Sequence, residues 1–246
     1  MAKARKRHVQ LELPKLDKNG QRRGGARPRA GRKPKGERPG SPHNKRDEVN
    51  PRHVQHVTVR VVEALEWLRK PHAYRAIRAA LVTMLARHVD FRIVHFSLQG
   101  NHVHLLCEAE NKLALTRGAQ GFQISAARQL NREISKRRGT QRRGQVFADR
   151  YHVETIDSPR QMRHALAYVL NNWRRHKQDS GVGLYNGRID PFSSGVWFLG
   201  WKERTGPITI PPGYDAPQMS PPDTWLLAES WKLLRPISVF EVPGTR

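Results

Sequence analysis

From Asn101 to Leu106 the chain reads Asn-His-Val-His-Leu-Leu, a short pattern that constrains the fold more than any other. Strand side chains alternate between faces, so His102 and His104 project together while Val103 and Leu105 pack the other way. Two imidazoles on one face, at the start of an apolar run, are how a β-strand presents nitrogen ligands to a metal ion.

The flanking sequence supplies the partners such a strand needs. Val57, Val59 and Val61 alternate with Thr58 and Arg60, a half-buried strand, with order beginning near His53. Pro71 opens a helical stretch in which Tyr74, Ile77, Leu81, Met84-Leu85 and His88 share one face. Arg92 to Leu98 reads as a second strand, with Ile93, His95 and Ser97 on one side and Val94, Phe96 and Leu98 on the other. Gln99-Gly100 is a tight turn joining it to the histidine strand as a hairpin.

Leu115, Ala119, Phe122, Ala126, Leu130 and Ile134 then fall at spacings of three and four, an amphipathic helix. Val146 to Ile156 is a fourth extended segment, and Ser158-Pro159 starts a last helix that runs to about His176. Strand, helix, strand, strand, helix, strand is the ferredoxin-like split βαβ order. The expected fold is therefore α+β: an antiparallel sheet with helices on one face and an added C-terminal helix.

Charge bounds the partner. The 246 residues carry a net charge of +24, and residues 1–52 hold 17 Lys/Arg against 5 Asp/Glu. Such a field implies a polyanion, because each neutralised phosphate releases counterions. Residues 1–52 are too poor in apolar side chains to offset their ordering entropy and read as a disordered basic arm. Within it Gly31-Arg32-Lys33-Pro34 loosely resembles an AT-hook core, but the match is degenerate and a generic phosphate-binding arm is the preferred reading. Residues 53–205 are the expected catalytic domain. Residues 206–246 hold 8 of the 17 prolines and read as an extension packing on the core, with a short helical patch at Trp225–Leu234. One cysteine, Cys107, rules out an intramolecular disulfide, and no apolar run is long enough to span a membrane. Without an apolar leader segment either, a cytoplasmic, nucleoid-associated protein is expected.

The last helix adds chemistry. Met162, Ala165-Leu166, Val169 and Trp173 form its buried stripe, and Tyr168 and Asn172 stack beside it four residues apart. Two neutral imidazoles and an amide oxygen suit Mg²⁺ or Mn²⁺ with positions left for a phosphate oxygen. A phenol becomes a useful nucleophile when a nearby cation or base favours the phenolate. Competing motifs are missing: His-x-His-x-Asp-His is broken by Leu105-Leu106-Cys107, and a single cysteine forbids the Cys-x-x-Cys of zinc deaminases.

His95 through Leu106 resembles the metal strand of the single-tyrosine HUH transposases (the IS200-like domain). Gly144-Gln145-Val146-Phe147-Ala148-Asp149-Arg150-Tyr151-His152 and Ala167-Tyr168-Val169-Leu170-Asn171-Asn172 resemble the branch called REP-associated tyrosine transposases. The resemblance runs over about 53–205 and includes Pro191-Phe192-Ser193-Ser194. It implies His102 and His104 as metal ligands and Asn172 as the third. It implies Tyr168 as the nucleophile that forms a 5′-phosphotyrosine, and single-stranded DNA hairpins as substrates. Trp173 departs from the family, where proline is common after that asparagine.

Lys136, Arg137, Arg138, Arg142 and Arg143 in the Gly-punctuated loop, with Arg160, Arg163, Arg174 and Arg175 on the last helix, are the candidate DNA contacts. Tyr151 and His152 fit packing or DNA contact; Tyr74, Tyr185 and Tyr214 have no basic or metal partner in view. Monomer and homodimer both fit. The rival reading is a basic nucleic-acid-binding or regulatory protein on the same fold with the site idle. RNA-binding relatives of this fold carry aromatics on the central strands, whereas this chain offers His102, His104 and Leu106.

Overall fold

The elements run β1 (Val54–Arg60), α1 (Pro71–Arg87), β2 (Phe91–Leu98), β3 (His102–Ala109), α2 (Lys112–Arg138), β4 (His152–Ile156) and α3 (Pro159–Arg175). All three strand pairings are antiparallel, in the order β2-β3-β1-β4. This is the arrangement of the split βαβ sheet expected from the sequence. The computed structural model describes residues 46–65, 67–87, 89–176, 189–203 and 215–244, within a unit spanning 41–246. His88, Tyr185, Tyr214 and the basic arm up to residue 45, with its AT-hook-like segment, lie outside the described residues.

The helices begin and end where local chemistry dictates. Asn111 caps α2, its side chain accepting from the amides of Leu113 and Ala114 at 3.0 Å. Gly139 ends α2 at φ 66°, a left-handed conformation that glycine adopts without strain. Lys136, Arg137 and Arg138 occupy its last turn, where they complement the negative end of the helix dipole. Pro159 opens α3 as expected, but the Ser158 side chain makes no capping bond. The fixed φ of proline, rather than the hydroxyl, sets that start.

One face of the sheet is predominantly apolar, its polar members being Gln55 of β1 and Thr155 of β4, which bond each other at 3.0 Å. Val57, Val59, Phe96, Leu98, Val103, Leu105 and Cys107 pack against Ala73, Ile77 and Leu81 of α1 and Leu115, Phe122 and Leu130 of α2. The opposite face is also covered, which corrects the expectation of helices on one side only. There Val54, Val94, Leu106 and Ile156 bury against Met162, Leu166, Val169 and Leu170 of α3 and against Leu226, Leu227, Trp231 and Ile237. At that end of the sheet both faces carry apolar side chains, so both need cover.

The alternation expected in β2 also fails at one point. Its register steps from Ile93 opposite Cys107 to His95 opposite Leu106, a β-bulge at Val94. Ile93 therefore joins Phe96 and Leu98 in the first core, while Val94 turns to the second. The fourth segment is interrupted too: Phe147 bridges Val61, and regular pairing resumes only at His152.

Residues 215–244 are tied down by buried polar groups. Glu108, 1% exposed, accepts from the amides of Asp223 and Thr224 at 2.9 to 3.2 Å and from the Thr224 hydroxyl at 2.7 Å. Thr224 in turn caps a four-residue helix, α4 (Trp225–Ala228). Ser220 N donates to Ile93 O at the bulge, and Tyr74 donates to Asp215 O at 2.9 Å.

Candidate active site

The site lies where the second face changes from apolar to polar. Beyond Val54 and Leu106, alternation places His56, Thr58 and Arg60 of β1 on the same face as His102 and His104 of β3. The register sets Thr58 opposite His104 and Arg60 opposite His102, on the two central strands. His152 and Glu154 of β4 join them across β1. Over this patch lies α3, whose residues His164, Tyr168 and Asn172, with the C-cap His176, follow one another at the four-residue spacing of a single helical row.

Contacts converge on His104. Its Nε2 lies 3.0 Å from the Asn172 side-chain amide nitrogen, and its Nδ1 lies 3.0 Å from His56 Nε2 and 3.1 Å from Thr58 Oγ1. The Tyr168 ring stands edge-on, 5.3 Å from the His104 ring and 5.8 Å from that of His56. The His102 ring is 4.7 Å from that of His104, and its Nδ1 lies 2.8 Å from Asn101 Oδ1. Since an amide oxygen only accepts, His102 donates from Nδ1 and keeps a lone pair on Nε2.

Burial keeps these rings neutral. It pulls His104 down to about 2, helped by His56, His102 and His176, and His102 down to about 4, helped by His176 and Arg60. His56 is also lowered by burial, against a raising effect from Glu154, whose carboxylate is 3.7 Å away. Neutral imidazoles are what a divalent cation requires.

The side chains fit such a cation. Asn172 is fully buried, yet its Oδ1 has no hydrogen-bond partner, an oxygen whose desolvation nothing in the protein offsets. Its amide nitrogen already points at the His104 Nε2 lone pair, so a cation between them would be met by oxygen after the amide turns over. Among the described residues no three His, Cys, Asp or Glu side chains form a metal cluster.

The open cleft over these residues has a volume of about 1820 Å³, beyond the roughly 300–1,000 Å³ of a small-molecule pocket. It is bordered by Arg60, Trp67, His152, His164, Arg175 and Arg235.

Residues 54–172 match the family described as transposase IS200 like. This region of the chain resembles the IS200-like transposases. The match supports a transposase role, with DNA cleavage and transfer as the activity it suggests. Among solved structures, the chain is similar to one described as the REP-associated tyrosine transposase bound to a REP hairpin. Identity there is 16% and the TM-score 0.43, over 63% of this chain and 82% of that one. No curated protein matches the chain. Among the described residues, no helix is long and apolar enough to cross a membrane.

The nine candidate DNA contacts scatter around this IS200-like site. Arg175 borders the cleft and donates to Pro243 O. Lys136, Arg137, Arg138 and Arg143 are exposed at or beyond the end of α2, and Arg160 is exposed on the first turn of α3. Arg142 donates to Asn131 Oδ1 and Gln145 O, which holds the loop to the helix. Arg174 donates to Val239 O at 2.7 Å and lies 4.8 Å from the Trp173 ring.

Arg163 departs from the expectation. It is 3% exposed, and its guanidinium binds the Glu241 carboxylate at 2.6 and 2.7 Å and the carbonyls of Arg235 and Pro236. Its spacing put it among solvent-facing arginines because nothing local announces that the C-terminal extension covers that side. Trp173 is likewise buried, and α3 continues through it to Arg175.

Sequence reasoning did not single out His56, Thr58 or Glu154. The signal was present: they alternate with Val57, Val59 and Val153, so they had to face away from the first core. His95, by contrast, is held 3.1 Å from Ser194 Oγ and edge-on to Phe198, among packing residues. Tyr151 is buried with Arg46 stacked 3.6 Å over its ring.

Proposed function

We propose that this protein is a metal-dependent DNA transposase that cleaves and rejoins single-stranded hairpin DNA through a 5′-phosphotyrosine on Tyr168. The observation that carries the reading is the row Tyr168–Asn172 on α3, set directly over His104 and beside His102. In such a site His102, His104 and Asn172 would hold Mg²⁺ or Mn²⁺. When bound, that ion would polarise the phosphate and offset charge in the in-line transition state.

The chain's own residues do the rest. Tyr168 is only partly buried, with its ring at the floor of the cleft, so a phosphodiester laid in the cleft can meet its hydroxyl. The Tyr168 Oη–phosphorus bond forms as the bond from phosphorus to the 3′-oxygen breaks, and the 3′-hydroxyl regains by way of solvent the proton the phenol gives up. Rejoining runs the same exchange backwards with a new 3′-hydroxyl, so no external energy source is needed. His56 and Thr58 fix the His104 ring from behind, with Glu154 facing His56. Arg60 and Arg175 supply positive charge at the cleft for the backbone.

The test is a covalent-adduct assay with hairpin oligonucleotides and Mn²⁺. Wild type is expected to form a denaturant-stable protein–DNA species, and Tyr168→Phe none while still binding DNA. An equal yield from Tyr168→Phe refutes the nucleophile, and no adduct from wild type leaves a basic DNA-binding protein with an idle site.

A further inference from the structure

One large aromatic at the cleft is explained neither by packing nor by the proposed chemistry. Trp67 is 55% exposed, yet it borders the same cleft as His102, Asn101 and Arg60. Its indole rests on the turn that launches the histidine strand. A Cβ at Gly100 would lie 2.4 Å from Cη2 of that ring, so only glycine lets the indole seat there. Gly100 is two residues from His102, at most about 7 Å of chain.

The backbone around the ring is held firmly. Leu68, buried behind Trp67, donates from its amide to Gly100 O at 2.8 Å. Arg69 bonds Leu98 O and makes a two-bond ion pair with the buried Asp190 carboxylate at 2.8 and 2.9 Å. Asp190 in turn accepts from the Phe192 amide, and the Arg69 guanidinium lies over the Phe192 ring. An indole left in solvent costs the protein apolar exposure. Here that exposure is fixed in place, at a cationic cleft, beside the proposed metal ligands.

We propose that Trp67 is a stacking platform for one unpaired base next to the phosphate that Tyr168 would attack. This rests on the single-stranded DNA reading of the cleft and adds to it a base-binding position outside the tyrosine–histidine constellation. Every base offers a π-face, so the platform recognises single-strandedness rather than sequence. Double-stranded DNA keeps its bases stacked on one another and gains nothing from it. Seating on Gly100 fixes where the base sits relative to His102, so the platform also sets the distance between the last paired nucleotide and the cut.

Binding of the full-length chain to two probes tests this: a bare hairpin oligonucleotide, and the same hairpin with a short single-stranded extension. Both are measured with Tyr168→Phe as background, so that no cleavage intervenes. The extension is expected to tighten binding. Trp67→Ala should weaken the extended probe by roughly tenfold, the size of one base–aromatic stack, and leave the bare hairpin unchanged. Trp67→Phe should recover most of the loss, and Gly100→Ala, which unseats the ring, should imitate Trp67→Ala. Equal affinity of Trp67→Ala and its background for the extended probe overturns the platform, whatever the adduct assay shows. A selective loss in a protein whose wild type forms no adduct keeps the platform and sinks the strand-transfer chemistry.

Discussion

The two faces of the sheet use the same strands for different ends. Toward α1 and α2, the inward side chains of β1 and β3 are Val57, Val59, Val103, Leu105, Cys107 and Ala109, with the buried Gln55 as the one polar exception. Toward α3, the strands carry Val54, Leu106 and the buried Glu108 at one end and His56, Thr58, Arg60, His102 and His104 at the other. Strand alternation makes this division possible, because each residue is assigned to one face without constraining its neighbour. Stability should therefore reside chiefly on one face, and chemistry on one end of the other.

Adjacent residues of β3 give the sharpest way to break that comparison. His104→Ala is expected to lower strand cleavage by about a thousandfold or more, the rate equivalent of several kcal/mol of transition-state stabilisation. Its thermal midpoint should move little. Leu105→Ala should do the reverse, costing about 3–4 kcal/mol of stability in a denaturant titration. Its cleavage rate per folded molecule should stay near wild type. If His104→Ala unfolds the protein while Leu105→Ala does not, the division of labour is wrong.

Protonation separates the faces next. With His104 lowered to about 2 and His102 to about 4, protons compete poorly with a metal ion at these nitrogens. Mn²⁺ affinity, read by calorimetry, should stay nearly flat from about pH 8 to about pH 5, where free histidines of pKa about 6.5 would already have lost most of theirs. The sign for stability is opposite to that of a gained partner. Imidazoles that charge in the unfolded chain near 6.5 but remain neutral when folded make stability fall as pH drops below about 6.5. His95, lowered by burial to about 4 away from the site, contributes to the stability slope only. His95→Gln should flatten that slope and leave metal affinity alone.

The smallest expected effects lie outside both faces. Exchanging Lys136, Arg138 and Arg143 for glutamine should reduce the salt dependence of single-strand binding by about 2 in log–log slope, for about 0.7 per phosphate contact. The rate of cleavage once bound should not change. A change in that rate with unaltered salt slope would move these residues from grip to catalysis.

Much of this was legible in sequence because it is local. The Val57/Val59 and Val103/Leu105 alternations, the Leu115–Ile134 stripe and the Pro159 start each announce their element within a few residues. His102 with His104, and Tyr168 with Asn172, are local pairs as well, and the fold brings the two pairs together. What escaped depends on distant chain. The bulge at Val94 accompanies a bond from Ser220, the burial of Arg163 needs Glu241, and α3 crosses to the second face because Leu226, Trp231 and Ile237 help cover it. Residue spacing carries no information about partners 70 to 130 positions away.

The central claim is that one phenol takes the phosphate. The direct measurement is to isolate the covalent protein–DNA product, digest both components, and locate the phosphorylated residue by tandem mass spectrometry. The account predicts a nucleotide remnant on Tyr168 and on no other residue. A remnant on Tyr151, on a histidine or on a serine would contradict it.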